Sequence, residues 1–310
     1  VESWAPSTNG VVHAIAASPD GSQIFVGGAF NRVNNVGRSR FAALSASTGA
    51  VLSSFSAGTN GEVRGIAVAP DAVYITGTFN TVGGQSRARV ASFTPSGTLR
   101  GWSANVQSRI SYDIATSPDG SRVFIGGAFE KVNNVPRLGT AALSGATGAL
   151  LPWDVSDEVY SWGPDAAVTS VNADESNVYF TSMAFLDDAT GWTNTEGAFA
   201  ADQATGEVVW LADCHGDTYD VFANSGQDHV YLAGHPHMCN NIGSYPEERP
   251  RVHRYATALT KQAFGLVSTN TQLARFYVNV EGFPAPKVRT FFPTFTEGQH
   301  TGQHQATWQV

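Results

Sequence analysis

Ile24-Phe25-Val26-Gly27-Gly28-Ala29-Phe30 is a β-branched and aromatic run that closes on two glycines and an Ala-Phe pair. Its ending returns as Thr76-Gly77-Thr78-Phe79 and as Gly126-Gly127-Ala128-Phe129, so the marker starts at positions 27, 76 and 126, with spacings of 49 and 50. A fixed period in this range marks an array of supersecondary units that bury their apolar faces only against one another. The reading of the whole chain follows from this stretch.

Around it, the first unit divides into four short segments. Val12 to Ala17 comes first, then the turn Ser18-Pro19-Asp20-Gly21-Ser22, then Ile24 to Gly28. Proline presets φ for such a turn and glycine accepts positive φ. A polar loop, Asn31 to Arg38, leads to Arg40-Phe41-Ala42-Ala43-Leu44-Ser45, a Thr48-Gly49 turn and a last segment, Val51 to Phe55. Each segment has strand length, and none carries helical spacing. Four antiparallel strands in about fifty residues match one blade of a β-propeller. The glycines ending the second strand imply close backbone approach. The small pairs Ala42-Ala43, Ala141-Ala142 and Ala200-Ala201 suit tight packing between blades.

The expected fold class is all-β, a β-propeller of five complete four-stranded repeats with partial blades at both ends. The fourth unit is weaker, and Ser182-Met183-Ala184-Phe185 reads as its copy of the marker. The fifth replaces the marker's Ala-Phe with His235-Pro236. Glu2-Ser3-Trp4-Ala5-Pro6 resembles the outer segments Leu99 to Ala104 and Leu151 to Asp154, and Thr301 to Val310 resembles an opening inner strand. Residues 1–310 are therefore expected to be a single propeller domain, a segment of a longer chain, with six or seven blades when complete and an insertion at 264–300.

Composition narrows the function. A net charge of −8 argues against a nucleic-acid partner, which needs a basic surface. Charged residues make up 14%, against about 25% in typical domains. With many Ser, Thr, Asn and Gly residues, this fits an extracellular, cell-surface or virion location. No 18-residue apolar run is present, so no membrane-inserted helix is expected.

The pattern strand–Gly-Gly-x-Phe–x-x-Val-Asn…Arg…Ala-x-Leu…Thr-Gly is carried by Gly27 to Phe30, Val33-Asn34, Arg40, Ala43-Leu44 and Thr48-Gly49. It resembles the delta-60 repeat β-propellers of secreted actinobacterial proteins and of tail proteins of their phages. The resemblance covers about residues 1–260. It implies the fold and export, and brings no catalytic set with it.

Site candidates lie where the repeat breaks its own rule. His215, Asp217, His235 and His237 surround Cys214 and Cys239 in the fifth unit. They read first as a structural polar cluster, then as a ligand-binding site, and last as a divalent metal site. His300 and His304 read as loop and edge residues. Asp187, Asp188, Trp192 and Asn194, with Glu196 nearby, read first as an ordinary solvated loop; the alternative is a sugar site, since they combine an aromatic ring with carboxylates and an amide. The Asn-rich loops (Asn31 to Asn35, Asn133-Asn134, Asn240-Asn241) read as turn chemistry rather than calcium ligands, and Asp20 and Asp119 as hairpin residues. No cofactor is expected. The leading functional expectation is a non-enzymatic binding or structural module whose partner is a glycan or protein surface, alongside other domains or subunits. The alternative is a polysaccharide-active enzyme, glycosidase or lyase, with its site on the rim.

Cys214 precedes the fifth inner strand and Cys239 follows its second strand, ends that antiparallel neighbours bring together. A disulfide is expected, with two free thiols or a zinc site as alternatives. Alkylation of the denatured, unreduced protein after expression in an oxidising compartment checks this by mass: no labelled cysteine is expected, and two labelled thiols contradict it.

Overall fold

The computed structural model describes residues 4–157, 159, 161, 166–184, 195–213, 217–223, 229–234 and 256–260. Within them every regular element is a β-strand. Five sheets follow one another along the chain. Each lays an inner strand against a second and a third strand in antiparallel order: Val12–Ala17, Gln23–Gly28 and Phe41–Ser45 in the first blade, for example. The inner strands of the other four are Val63–Ala69, Ser111–Thr116, Ala166–Ala173 and Thr218–Ala223. Consecutive inner strands pack side by side, which sets the blades around a common axis.

The outer segments differ from expectation. In the first three blades the fourth strand shrinks to a single bridge, Leu44–Val51, Phe93–Leu99 and Leu143–Leu150. Only the fourth blade, among the described residues, carries a full fourth strand, Val208–Asp213. The polar loop after the second strand is also more ordered than its composition implies. Arg32–Val33 pairs with Val36–Gly37 as a small hairpin, and Val33 is bridged in turn by Thr8. Asn34 and Asn35 stand at φ 48° and 62°, and Asn133 and Asn134 repeat this at 51° and 66°. Two successive left-handed residues are what a tight hairpin turn demands, and asparagine tolerates them. Asn34 and Asn133 also accept the backbone N–H of Ser7 and Asn105 through Oδ1, at 2.8 Å each. The turn reading of these loops holds there; Asn240-Asn241 lies outside the described residues.

Apolar packing joins the blades pairwise. Phe25, Phe41 and Phe55 of the first blade meet Val63, Ile75 and Phe93 of the second. The Phe41 and Phe93 rings stack with centroids 5.2 Å apart. Phe124 and Trp153 meet Val171 and Phe180 at the seam of the third and fourth blades. The alanine pairs of the third strands are fully buried, as their size implies, with Ala43, Ala142 and Ala201 in these clusters and Ala42, Ala141 and Ala200 in clusters on the opposite faces of their sheets. Fully burying one such aromatic contributes roughly 2–3 kcal/mol. The register position filled by Val171 and Val221, 4% and 3% exposed, holds Ile15 in the first blade, which is 53% exposed. That face therefore has no blade closed over it among the described residues.

Polar bonds also fasten the blades to their neighbouring segments. The indoles of Trp4, Trp102 and Trp153 donate to the carbonyls of Ser45, Ser144 and Asp202, at matching ends of third strands. The likeness of the Trp4 segment to the outer segments thus has a structural counterpart. Arg40 and Arg89 each hold a left-handed backbone, and their guanidiniums reach the next blade's entry segment at the carbonyls of Thr59 and Val106. Gly139 takes that position in the third blade.

The repeated glycines have two separate reasons. A Cβ on Gly27 or Gly126 would enter the valine side chains of the next inner strand, Val63 in one case and Val168 and Val171 in the other. A Cβ on Gly28, Gly77, Gly127 or Gly234 would fall 1.9–2.3 Å from a carbonyl oxygen, that of Val11, Glu62, Ile110 or Asp217. In the first three blades that same carbonyl accepts the amide of the residue after the glycine, at 2.8–3.0 Å. The fourth blade differs. Its inner and second strands stay paired past this point, Ala167 with Met183 and Ala166 with Ala184. The register puts Thr181-Ser182, rather than Ser182-Met183, at the glycine positions. This corrects the expected alignment of Ser182-Met183-Ala184-Phe185 by one residue, because continued pairing removes the need for glycine.

Gly77→Ala is expected to destabilise the protein by roughly 3 kcal/mol or more, since backbone rather than a flexible side chain must move. Gly37→Ala, where a Cβ meets nothing within 4 Å, should change stability by less than about 0.5 kcal/mol. Equilibrium denaturation of the two variants checks the contrast.

Candidate functional site at the propeller axis

All five inner strands share a local irregularity. Register against the second strand shifts between Val12 and Ala14, Val63 and Gly65, Ser111 and Asp113, Val168 and Ser170, and Thr218 and Asp220. One extra residue is inserted each time: His13, Arg64, Tyr112, Thr169 and Tyr219. Such a bulge re-aims the side chain that follows it. The residues that follow are Ala14, Gly65, Asp113, Ser170 and Asp220.

Three of these five line an axial cavity of about 330 Å³, together with Ile66, Asn172 and Phe222. That volume is at the lower end for small-ligand sites. The polar bonds inside it run from blade to blade. Asp113 accepts the Ile114 N–H through Oδ1 at 2.8 Å and the Val171 N–H through Oδ2 at 2.8 Å. Ser170 Oγ lies 2.9 Å from Asp113 Oδ2 and 3.1 Å from Asp220 Oδ1. Asp220 Oδ1 also accepts the Val221 N–H at 3.0 Å. Asn172 accepts the Ala223 N–H, and the Thr169 hydroxyl donates to the Thr218 carbonyl. Polar side chains therefore lace the third, fourth and fifth blades at the axis. The second blade closes on the third differently, since a Cβ on Gly65 would sit 2.9 Å from Asp113 Oδ1.

Burial pushes the Asp113 carboxyl up to about 7. The Val171 and Ile114 amides and the Ser170 hydroxyl oppose that rise, and the Asp220 charge adds to it. Asp113 still touches the lumen, as a half-buried residue, while the rest of its surroundings is protein.

The bulged residues make a second polar layer. Glu62 Oε2 forms ion-pair contacts with Arg64 at 2.5 Å and with His13 at 3.3 Å. Burial and the Arg64 charge lower the His13 pKa against the opposing pull of Glu62. Asp217 occupies the register position of Glu62 and pairs in the same way with its own strand's bulged residue, accepting Tyr219 Oη at 2.7 Å. Burial raises the Tyr219 pKa, and the Asp217 carboxylate raises it further.

Of the residues singled out from sequence, Asp217 is thus placed, at the start of the fifth inner strand. His215, His235, His237, Asp187, Asp188, Trp192, Asn194, Cys214, Cys239, His300 and His304 lie outside the described residues. Asp20 and Asp119 are hairpin residues as expected: each Oδ1 accepts a serine hydroxyl and the N–H two residues on. These bonds hold Asp20 down at about 2. Among the described residues no group of three His, Cys, Asp or Glu side chains is arranged to hold a metal.

Asp113, Ser170 and Asp220 were not among the sequence candidates. Aligning the five inner strands as Val12-His13-Ala14-Ile15, Val63-Arg64-Gly65-Ile66, Ser111-Tyr112-Asp113-Ile114, Val168-Thr169-Ser170-Val171 and Thr218-Tyr219-Asp220-Val221 exposes the signal. One column, between strand-forming neighbours, changes from Ala and Gly to Asp, Ser and Asp.

Comparison with known proteins agrees with this architecture. A family model described as "Domain of unknown function (DUF5122) beta-propeller" matches residues 72–99, most of the second blade. No curated protein matches. Among solved structures, Kuenenia stuttgartiensis hydrazine synthase is similar at 15% identity and a TM-score of 0.50, over 84% of this chain and 65% of that one. A chain of the mitotic checkpoint complex is similar at 13% identity and 0.53, over 82% and 64%. The Neurospora crassa Pan2 WD40 domain is similar at 11% identity and 0.53, over 86% and 72%. The chain spans just under two thirds of the length of the first two. At such identities the likeness concerns the fold alone, and the fold is a β-propeller.

Proposed function

We propose that this propeller is a non-enzymatic binding or structural module on the outside of a cell or virion, presenting its rim to a glycan or protein surface. The carrying observation is how its blades are fastened. Tryptophan–carbonyl bonds, arginine clamps and the axial Asp–Ser–Asp bridge hold neighbouring blades at separate places. Such a ring holds loops in fixed positions while their sequences vary, which is what recognition requires. The low charge content supports an exterior location, and the departures of the fourth and fifth units from the repeat support those blades as the specialised surface.

One observation favours a second reading, a polysaccharide-active enzyme. Asp113 and Asp220 flank one hydroxyl, and Asp113 keeps its proton towards neutral pH, as a general acid does. That places the acid in the axial cavity instead of on the rim near Asp187 and Asp188. An extended polymer has poor access to a cavity of this size, so binding remains the leading reading.

A glycan array run beside a hydrolysis and lyase screen tests the proposal on the full chain. Saturable glycan binding without product formation is expected. Turnover that disappears in Asp113→Asn, Asp187→Asn or His235→Ala overturns it in favour of catalysis. Absence of any glycan binding removes the glycan form of the proposal.

A further inference from the structure

We propose that Asp113, Ser170 and Asp220 share one exchangeable proton that ties the third, fourth and fifth blades together at the axis, so that the ring tightens on acidification and loosens as pH rises towards neutrality. The proposal is independent of what the rim binds.

It starts from a count of hydrogens. A serine hydroxyl has one proton to donate. Ser170 Oγ is nevertheless within hydrogen-bond distance of two carboxylates, Asp113 Oδ2 at 2.9 Å and Asp220 Oδ1 at 3.1 Å. With both ionised, one of those contacts sets a hydroxyl lone pair against a carboxylate lone pair, and the two carboxylates repel each other across the serine. One added proton removes the conflict. A carboxylic O–H then donates to Ser170 Oγ, whose own hydrogen goes to the other carboxylate, and the chain of bonds is complete. The proton belongs to the pair rather than to either residue. Asp220 makes other interactions of its own, and the count at Ser170 does not depend on them.

The surroundings leave the proton as the compensating charge. The second blade packs Gly65, which carries no charge, against Asp113. On the fourth blade Val171 and Ser170 face it, and on the fifth Asp220 does. The charged neighbour that acts on the ionisation of Asp113 is Asp220, which raises it. Arg64 and His13 are engaged with Glu62.

The sign follows from linkage. A carboxyl that holds its proton to about 7 when folded, and to about 3.9 when unfolded, binds more protons in the folded state between those values. Its contribution is therefore complete below about pH 4 and is lost as pH rises to about 7. The folded-to-unfolded ratio should fall by roughly 10- to 100-fold between pH 5 and pH 8 from this group, the lower figure allowing for water in the lumen.

Denaturant titration of the full chain at pH 5 and pH 8, in the presence of a chelator, measures this. The wild type is expected to lose that factor. Asp113→Asn and Asp220→Asn each remove one charge, and both should lose at most a few-fold. Infrared spectroscopy of the wild type provides a readout that needs no variant to fold: a buried carboxylic-acid carbonyl band should persist above pH 5 and disappear around neutrality. Equal pH dependence in wild type and both variants, or no such band above pH 5, overturns the proposal. Calcium that restores the pH 5 stability at pH 8 in the wild type, and not in Asp113→Asn, also overturns it, by showing that the compensating charge is a metal ion.

Discussion

The fold depends on one close approach between backbones. At the end of the second strand, the amide after a glycine meets the carbonyl that precedes the inner strand, as in the 2.8 Å bond from Ala29 to Val11. The glycine lies so near that carbonyl that a Cβ at Gly77 would stand 1.9 Å from the Glu62 oxygen. Here the two strands part, one residue before the bulge. A side chain at this point would force the strands apart or keep them paired. The fourth blade takes the second course, with Ser182 in place of glycine and strands that run on to Ala166 and Ala184.

The bulge carries this constraint to the axis. Because an extra residue is inserted at one register position in every inner strand, the following residue occupies an equivalent place in every blade. At Gly65 the neighbouring inner strand approaches closely, since a Cβ there would sit 2.9 Å from Asp113 Oδ1, and Ala14 fills the same column in the first blade. Asp113, Ser170 and Asp220 fill the same column with groups that must hydrogen-bond when enclosed. They do so across blades, to Val171 and to one another. The blade seams are thus apolar through most of their depth and polar at the centre.

Much of this was legible in the residues. The Gly-Gly-x-Phe strand ending, the Pro-Asp-Gly hairpins and the alanine pairs each report a local demand of space or φ that few residue types meet. Local chemistry is also why Asn34-Asn35 and Asp20 read correctly. What escaped is non-local. A bulge is a relation between two strands, so Tyr112-Asp113 looks like any exposed-buried alternation until its partner Gly126-Gly127 is set beside it. The small hairpin Arg32 to Gly37 hides in a polar run because its strands are two residues long. The fourth marker was misaligned by one residue because Ser-Met-Ala-Phe imitates the letters of the motif while the register follows the pairing. Asp217 was noticed for its neighbours in sequence, yet in the structure its side chain answers Tyr219.

The central claim is that a bulged inner strand places the residue after each bulge on a common axial column, and that Asp113 and Asp220 meet there on one serine. An experimentally determined structure resolving side chains in the third, fourth and fifth inner strands tests it most directly. The account predicts register shifts at Tyr112, Thr169 and Tyr219, and Ser170 Oγ within hydrogen-bond distance of both carboxylates. Unbroken pairing through those three positions, with Asp113 and Asp220 directed into separate environments, would contradict it.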